Sequence, residues 1–231
     1  PSDVSKREQG GPYKSMNDLD LARAYYAEEL RAVANLQSEA VVRAFAKVPR
    51  EHFLGPGPWQ VKSPGFEGYW TTKNADPKHL YHNVLVAIDP NRQLNNGHPS
   101  FLASLIDRLE VKPVDHAIHV GCGTGYYTAI MAEVVGREGH VTAIEVDTQL
   151  AARARDNLNY FPNVQVMEGD GGEIDRLGVK DAVAVAKKSS RLGRGALLGL
   201  SLVAWMSLVG SRSAGRAARL VTRWPWREPP W

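Results

Sequence analysis

Three glycines at alternate positions, in Gly121-Cys122-Gly123-Thr124-Gly125, follow the apolar run Ala117 to Val120 and precede a helix-compatible stretch. A backbone bare of side chains at alternate positions can come close to a ligand, and the next helix adds unpaired N–H groups at its N-terminus. The spacing selects the ligand. A dinucleotide loop needs Gly-x-Gly-x-x-Gly so that a pyrophosphate can rest on a closely packed helix end, but here the third glycine is Gly125 and Tyr126 holds the dinucleotide position. Glu145 lies 20 residues past Gly125, at the end of the next apolar run, where a carboxylate can accept both hydrogen bonds of a ribose diol. Asp170, in Gly169-Asp170-Gly171, closes the third run; it can accept from an adenine amino group, and the flanking glycines admit the flat base. Either acid alone could be a helix cap or a solvated loop residue. Together, at successive strand ends beside a glycine loop, they describe a nucleoside site.

These residues need elements to hold them. The chain reads as strand Ala117 to Val120, glycine turn, helix Tyr127 to Val135, strand Val141 to Val146, helix Gln149 to Asn159, strand Val164 to Met167. Such βαβαβ alternation with short joints predicts a parallel, doubly wound sheet, with Gly121, Glu145 and Asp170 along its carboxyl edge. Upstream, Asn17 followed by Asp20 predicts a capped helix from Leu19 to about Asn35. Ser38 predicts a second cap, for a helix with Val41, Val42, Phe45 and Val48 on one face and Pro49 as its stop. Residues 55–77, dense in Gly and Pro, read as a long loop anchored by Trp59, Tyr69 and Trp70. A third helix opens at Pro99 and carries Leu102, Leu105, Ile106 and Leu109 at helical spacing.

Larger blocks carry a family resemblance. His119 to Thr128 (His-Val-Gly-Cys-Gly-Thr-Gly-Tyr-Tyr-Thr), Val141 to Asp147 (Val-Thr-Ala-Ile-Glu-Val-Asp), Gly169-Asp170-Gly171, and Val42 to Phe53 with its Val-Pro-Arg-Glu-His-Phe ending together span roughly residues 38 to 172. The glycine loop resembles that of class I methyltransferases, whose ligand has a methionine moiety where a dinucleotide has phosphates, and the set resembles the protein-L-isoaspartate O-methyltransferase family. The resemblance implies a Rossmann-like α/β fold with an N-terminal helical extension and S-adenosyl-L-methionine as cofactor. It also implies O-methyl transfer to a carboxylate or similar group of a small-molecule, peptide or protein acceptor. The cofactor residues it implies are His119, Gly121, Cys122, Gly123, Thr124, Gly125, Glu145, Asp170 and Gly171. His119 stands where the family has an acid before the loop. The family's substrate segment Gln-Thr-Ile-Ser-Gln-Pro falls on Leu94-Asn95-Asn96-Gly97-His98-Pro99, so its serine becomes Gly97. Asn95, Asn96 and His98 are the acceptor-side candidates, and with Leu94 and Gly97 lacking polar side chains the expectation is weak isoaspartyl activity. No catalytic base is assigned, because in-line transfer from a sulfonium relies on orientation.

Other chemistry recedes. His79 with His82 and His116 with His119 are spaced i, i+3 without the Cys or His-Glu-x-x-His company of a metal site, so none is assigned. A lone Cys122 forms no intramolecular disulfide, and with no basic-then-apolar leader the expectation is a cytoplasmic chain. Of 28 basic and 25 acidic residues, 176–231 hold 11 basic against Asp181 and Glu228, which leaves 17 against 23 elsewhere. A net −6 over the first 175 residues argues against a polyanionic partner; a tRNA or other nucleic-acid methyltransferase using the basic end, and a non-catalytic cofactor-binding module, are the alternatives. The run Gly195 to Gly210 is 16 residues long, short of the roughly 20 that span a bilayer. The organisation expected is a loose arm (1–14), a helical extension with the Gly/Pro loop (15–110), the cofactor core (111–190) with a fourth strand within Asp181 to Ala186, and an Arg/Trp-rich end (191–231) with a fifth strand at Ala196 to Val203.

Overall fold

The computed structural model describes residues 17–63, 65–171 and the backbone of 183–186. Asn17 caps α1 (Asp18–Ala34), its side chain accepting from the Leu19 and Asp20 N–H groups at 3.0 and 2.9 Å. Ser38 caps α2 (Glu39–Lys47) by accepting from Val41 N–H, and the helix buries Val41, Val42 and Phe45. Both caps answer the N–H groups that a helix start leaves without partners. Beyond Pro49 a 3₁₀ turn, Arg50–Phe53, follows.

Next come four short strands, β1 (Gln60–Lys62), β2 (Trp70–Thr71), β3 (Leu85–Asp89) and β4 (Leu94–Asn95), joined as an antiparallel sheet in the order β2-β1-β3-β4. The long loop expected over 55–77 therefore contains a strand pair, and β3 was not anticipated. Trp59 is a buried anchor as expected, packed with Val61, Leu80, Val84 and Val86 in a small core of its own. Tyr69 and Trp70 are not anchors: they are 38% and 52% exposed. Both lie at or beside β2, the outermost strand of this sheet among the described residues.

Helix α3 (Pro99–Arg108) leads into the parallel sheet: β5 (His116–Val120), α4 (Tyr126–Val135), β6 (His140–Glu145), α5 (Thr148–Asn157), β7 (Val164–Glu168) and β8 (Val183–Ala186). The order is β7-β6-β5-β8, all parallel, with His116 facing His140, Val141 facing Val164 and Ala117 facing Val183. In chain order this is third, second, first, fourth, the doubly wound arrangement expected, and the order reverses between β5 and β8, where such sheets open a crevice at their carboxyl ends. Helix α4 is buried along almost its whole length, between the sheet and α2, in a core that also takes side chains from α1 and α3. The N-terminal arm, residues 187–190, the run Gly195 to Gly210 with its expected strand, and the Arg/Trp-rich end lie outside the described residues.

Candidate active site

The glycine loop is pinned by its own backbone. Gly121 and Cys122 N–H both donate to the Ile144 carbonyl at the end of β6, at 2.7 and 3.1 Å, and Gly125 N–H turns back onto Cys122 O at 3.0 Å. The three loop glycines have positive φ, at 73°, 59° and 98°. At Gly125 a Cβ would come within 2.7 Å of Leu158, whereas at Gly123 it would meet nothing within 4 Å. Gly125 is thus required by packing against α5, and Gly123 leaves open space above the loop.

Glu145 closes the loop from the side. Its carboxylate accepts from Gly123 N–H at 2.7 Å and from Asp147 N–H at 3.0 Å, and the residue is 6% exposed. Asp147, which sequence reasoning passed over, caps α5 through Gln149 and Leu150 N–H and pairs with Arg92 from the β3–β4 turn. Burial opposes its ionisation, but Arg92 and the two N–H groups outweigh that and hold its carboxyl below the usual range. Gly169 N–H pairs with Glu145 O at 3.0 Å, which sets the exposed Asp170 beside the same strand end. A Cβ on Gly171 would come within 2.1 Å of Val120, so this glycine is fixed by the close approach of β5.

Behind the loop His119 is 1% exposed and shares a 2.8 Å hydrogen bond with Thr128 of α4. Thr124 is buried, and its carbonyl accepts from Asn157 at 2.9 Å. Cys122 is also buried; burial, then the Glu145 charge, raises its thiol above its ordinary value, so it is no nucleophile.

The segment 94–99 meets the first turn of α4 through Tyr127. Asn95 Oδ1 accepts from Gly97 N–H at 3.0 Å. Asn96, 6% exposed, turns inward: its Oδ1 accepts from Val86 N–H at 3.0 Å and from Arg50 at 3.3 Å. His98 Nδ1 meets Ser100 Oγ at 3.1 Å, and Asn83 both accepts from Ser100 N–H and donates to Ser100 Oγ. His98 Nε2 and Asn96 Nδ2 are buried and have no hydrogen-bond partner among the described residues.

Arg50 holds this segment and was missed as a functional residue, although it lies in the quoted Val-Pro-Arg-Glu block. It is 0% exposed, with its guanidinium on the carbonyls of Leu80 (2.6 Å), His82 (3.1 Å) and Val84 (2.8 Å) as well as on Asn96. Tyr26 and Tyr126 lie 5.7 and 5.9 Å from it, within cation–π range. The available signal was a cation placed directly after an apolar helix face.

A parallel sheet that reverses its order beside a glycine loop, with a carboxylate at the second strand end, makes this a Rossmann-like α/β protein with its site at the carboxyl edge. A model of the protein-L-isoaspartate(D-aspartate) O-methyltransferase family matches residues 69–182. Protein-L-isoaspartate O-methyltransferase 2 of Archaeoglobus fulgidus is 33% identical over 162 residues, 68% of this chain and 63% of that protein. The protein-L-isoaspartate O-methyltransferase of Ignicoccus hospitalis is 32% identical over 146 residues, 62% and 60% of the two chains. These matches support membership of the protein-L-isoaspartate O-methyltransferase family. It spans about 60% of the length of these two relatives. A solved structure described as a putative protein-L-isoaspartate O-methyltransferase from Plasmodium falciparum, in complex with S-adenosyl-L-homocysteine, aligns with a TM-score of 0.42 at 18% identity, over 74% of this chain and 66% of that one. At that distance the fold assignment rests on the strand order. Among the described residues no helix is long and apolar enough to cross a membrane.

Proposed function

We propose that the chain is an S-adenosyl-L-methionine-dependent methyltransferase that acts on a carboxylate or similar oxygen of a protein or peptide acceptor. The observation that carries this reading is the bond from Gly123 N–H to Glu145. A dinucleotide or phosphate site offers its loop N–H groups to the ligand; here those of Gly121, Cys122, Gly123 and Gly125 are taken by protein atoms, and an acid stands beside them. That environment disfavours phosphate and suits an uncharged ribose next to a cationic methionine end. The open space above Gly123 fits a ligand lying across the loop. Glu145 would hold the ribose diol, Asp170 the adenine amino group, and the loop from Gly121 to Gly125 and Gly171 the flat surfaces, while His119, buried behind the loop on Thr128, would support it.

When bound, the cofactor supplies an electrophilic methyl group on a sulfonium. The chain's own task is to orient and desolvate the acceptor, and orientation can contribute roughly 7 to 11 kcal/mol. A carboxylate, with a pKa near 4, is already ionised at neutral pH and needs no base. The Asn96 Nδ2 group, a buried donor without a partner among the described residues, favours an acceptor-only group such as a carboxylate; Asn95 shapes the adjoining turn through Gly97 N–H. Gly97 offers no hydroxyl, so an isoaspartyl peptide is expected to be a poor substrate.

Calorimetry tests the reading: S-adenosylhomocysteine should bind and NAD should not. Glu145→Gln keeps the shape but loses charge-assisted bonds of about 1.5 to 3 kcal/mol, a roughly 10- to 100-fold weaker affinity. Tighter binding of NAD, or an unchanged Kd in a folded variant, would overturn it.

A further inference from the structure

Two side chains tie the glycine-loop side to the segment bearing Asn95, Asn96 and His98. The pair of Arg92 with Asp147 is half open to solvent on the arginine side, at 39% exposure, where screening leaves little strength. The second tie is buried. Tyr127 Oη donates to the Gly97 carbonyl at 3.1 Å, and Tyr127 is 4% exposed. Its ring is held in one orientation by Tyr126 and Phe45, with centroids 5.0 and 6.4 Å away. Burial raises its phenol well above the ordinary value, so it remains a donor at any physiological pH.

Tyr127 lies two residues past Gly125, in the first turn of α4, so whatever restrains the glycine loop also restrains this hydroxyl. At its other end Gly97 has φ +87°, and a Cβ there would lie 3.3 Å from Leu102 Cδ2 and 3.4 Å from Tyr127 Cε2. The tyrosine ring therefore borders the space that a side chain at 97 would need. The missing serine and the tyrosine belong to one arrangement, in which a backbone carbonyl is held by a side chain of the cofactor helix.

We propose that Tyr127 is a positioning residue that transmits occupancy of the glycine loop to the acceptor segment, so that cofactor binding orders residues 95–99. This rests on the methyltransferase reading above. By linkage, an acceptor bound at 95–99 then tightens cofactor binding by the same factor. Without the hydroxyl, the Gly97 carbonyl is a buried acceptor without that donor, and the buried tie from α4 to the segment is gone.

Hydrogen exchange on the full chain, with and without S-adenosylhomocysteine, reads this directly at the Asn96 and Gly97 amides, which are bonded to Val86 O and Asn95 Oδ1. In the wild type the ligand should slow both by roughly 3- to 10-fold, the worth of one hydrogen bond. Tyr127→Phe should bind S-adenosylhomocysteine within about threefold of wild type yet show no such slowing, a separation that general loosening of the fold would not produce. Should that variant not fold, Gly97→Ala displaces the carbonyl from the other side and should give the same result. Equal slowing in the variants, or a wild type that binds the ligand without slowing at these amides, would overturn the proposal and leave the cofactor reading standing. A wild type that does not bind S-adenosylhomocysteine removes the cofactor reading and this proposal with it.

Discussion

Around the glycine loop the chain is fixed mainly by its backbone: Gly121 and Cys122 rest on Ile144, and Gly123 on one carboxylate. Around residues 94–99 it is fixed by buried side chains, with Arg50 gathering three carbonyls and Asn96 while Tyr127 holds Gly97. A surface made from main-chain atoms depends on φ and on the room next to Cα, and is largely indifferent to which side chains surround it. A surface made from side chains can be altered one residue at a time, and fails one residue at a time.

The sharpest way to break the comparison is Arg50→Met. It leaves three buried carbonyls and Asn96 without their donor, and should cost about 3 to 5 kcal/mol in chemical denaturation. Arg50→Lys should recover little, because one ammonium cannot serve a fork of acceptors. A loss below about 1 kcal/mol would mean that the guanidinium does not hold the acceptor side together.

Next in size is a pair of loop variants. Gly125→Ala drives a methyl into Leu158 at a positive φ and should lose about 2 to 3 kcal/mol of stability. Gly123→Ala meets no neighbour and should lose only about 1 kcal/mol for its left-handed backbone, yet it fills the open space and should weaken S-adenosylhomocysteine binding at least about tenfold. Thermal melts and calorimetry should therefore rank Gly125→Ala and Gly123→Ala in opposite orders; the same order in both would show that the space above Gly123 is not a ligand cradle.

The smallest effect concerns pH. Burial first, then the Arg50 charge, lower the His98 pKa below its ordinary 6.5. The folded state thus prefers the neutral ring, and the associated stability is fully present above pH 6.5 and lost as pH falls below it toward the folded pKa. His98→Gln should flatten the fall in Tm between pH 7.5 and 5.5 relative to wild type. Parallel curves would indicate that the imidazole is not held neutral by its surroundings.

Much of the cofactor half was legible in the sequence, because its signals are local. The alternation from Ala117 to Met167 gave strands and helices to within a residue or two, and Asn17 and Ser38 cap the helices they were expected to cap. The antiparallel sheet was not legible, since β2 and β4 are two residues each and β1 joins β3 by pairing Val61 with Val86 across the intervening segment. For β3 the signal existed: Val84 to Ile88 is an unbroken apolar run between Asn83 and Pro90. At the site, Glu145 and the glycines follow from spacing, but the roles of Arg50 and Tyr127 depend on carbonyls 30 residues away in sequence. A backbone carbonyl carries no residue identity, so no pattern of side chains announces it as a partner.

Gly97 also constrains how this lineage can change. A serine at that position would place a β-carbon on a backbone with φ +87°, pressed between Leu102 and Tyr127, a strain of about 1 to 3 kcal/mol before the hydroxyl contributes anything. That substitution is thus disfavoured until Tyr127 has changed as well, and changing Tyr127 first strands the Gly97 carbonyl. A serine at 97 would therefore cross a less stable intermediate whichever of the two positions changed first, an epistasis between the turn at Gly97 and the first turn of α4.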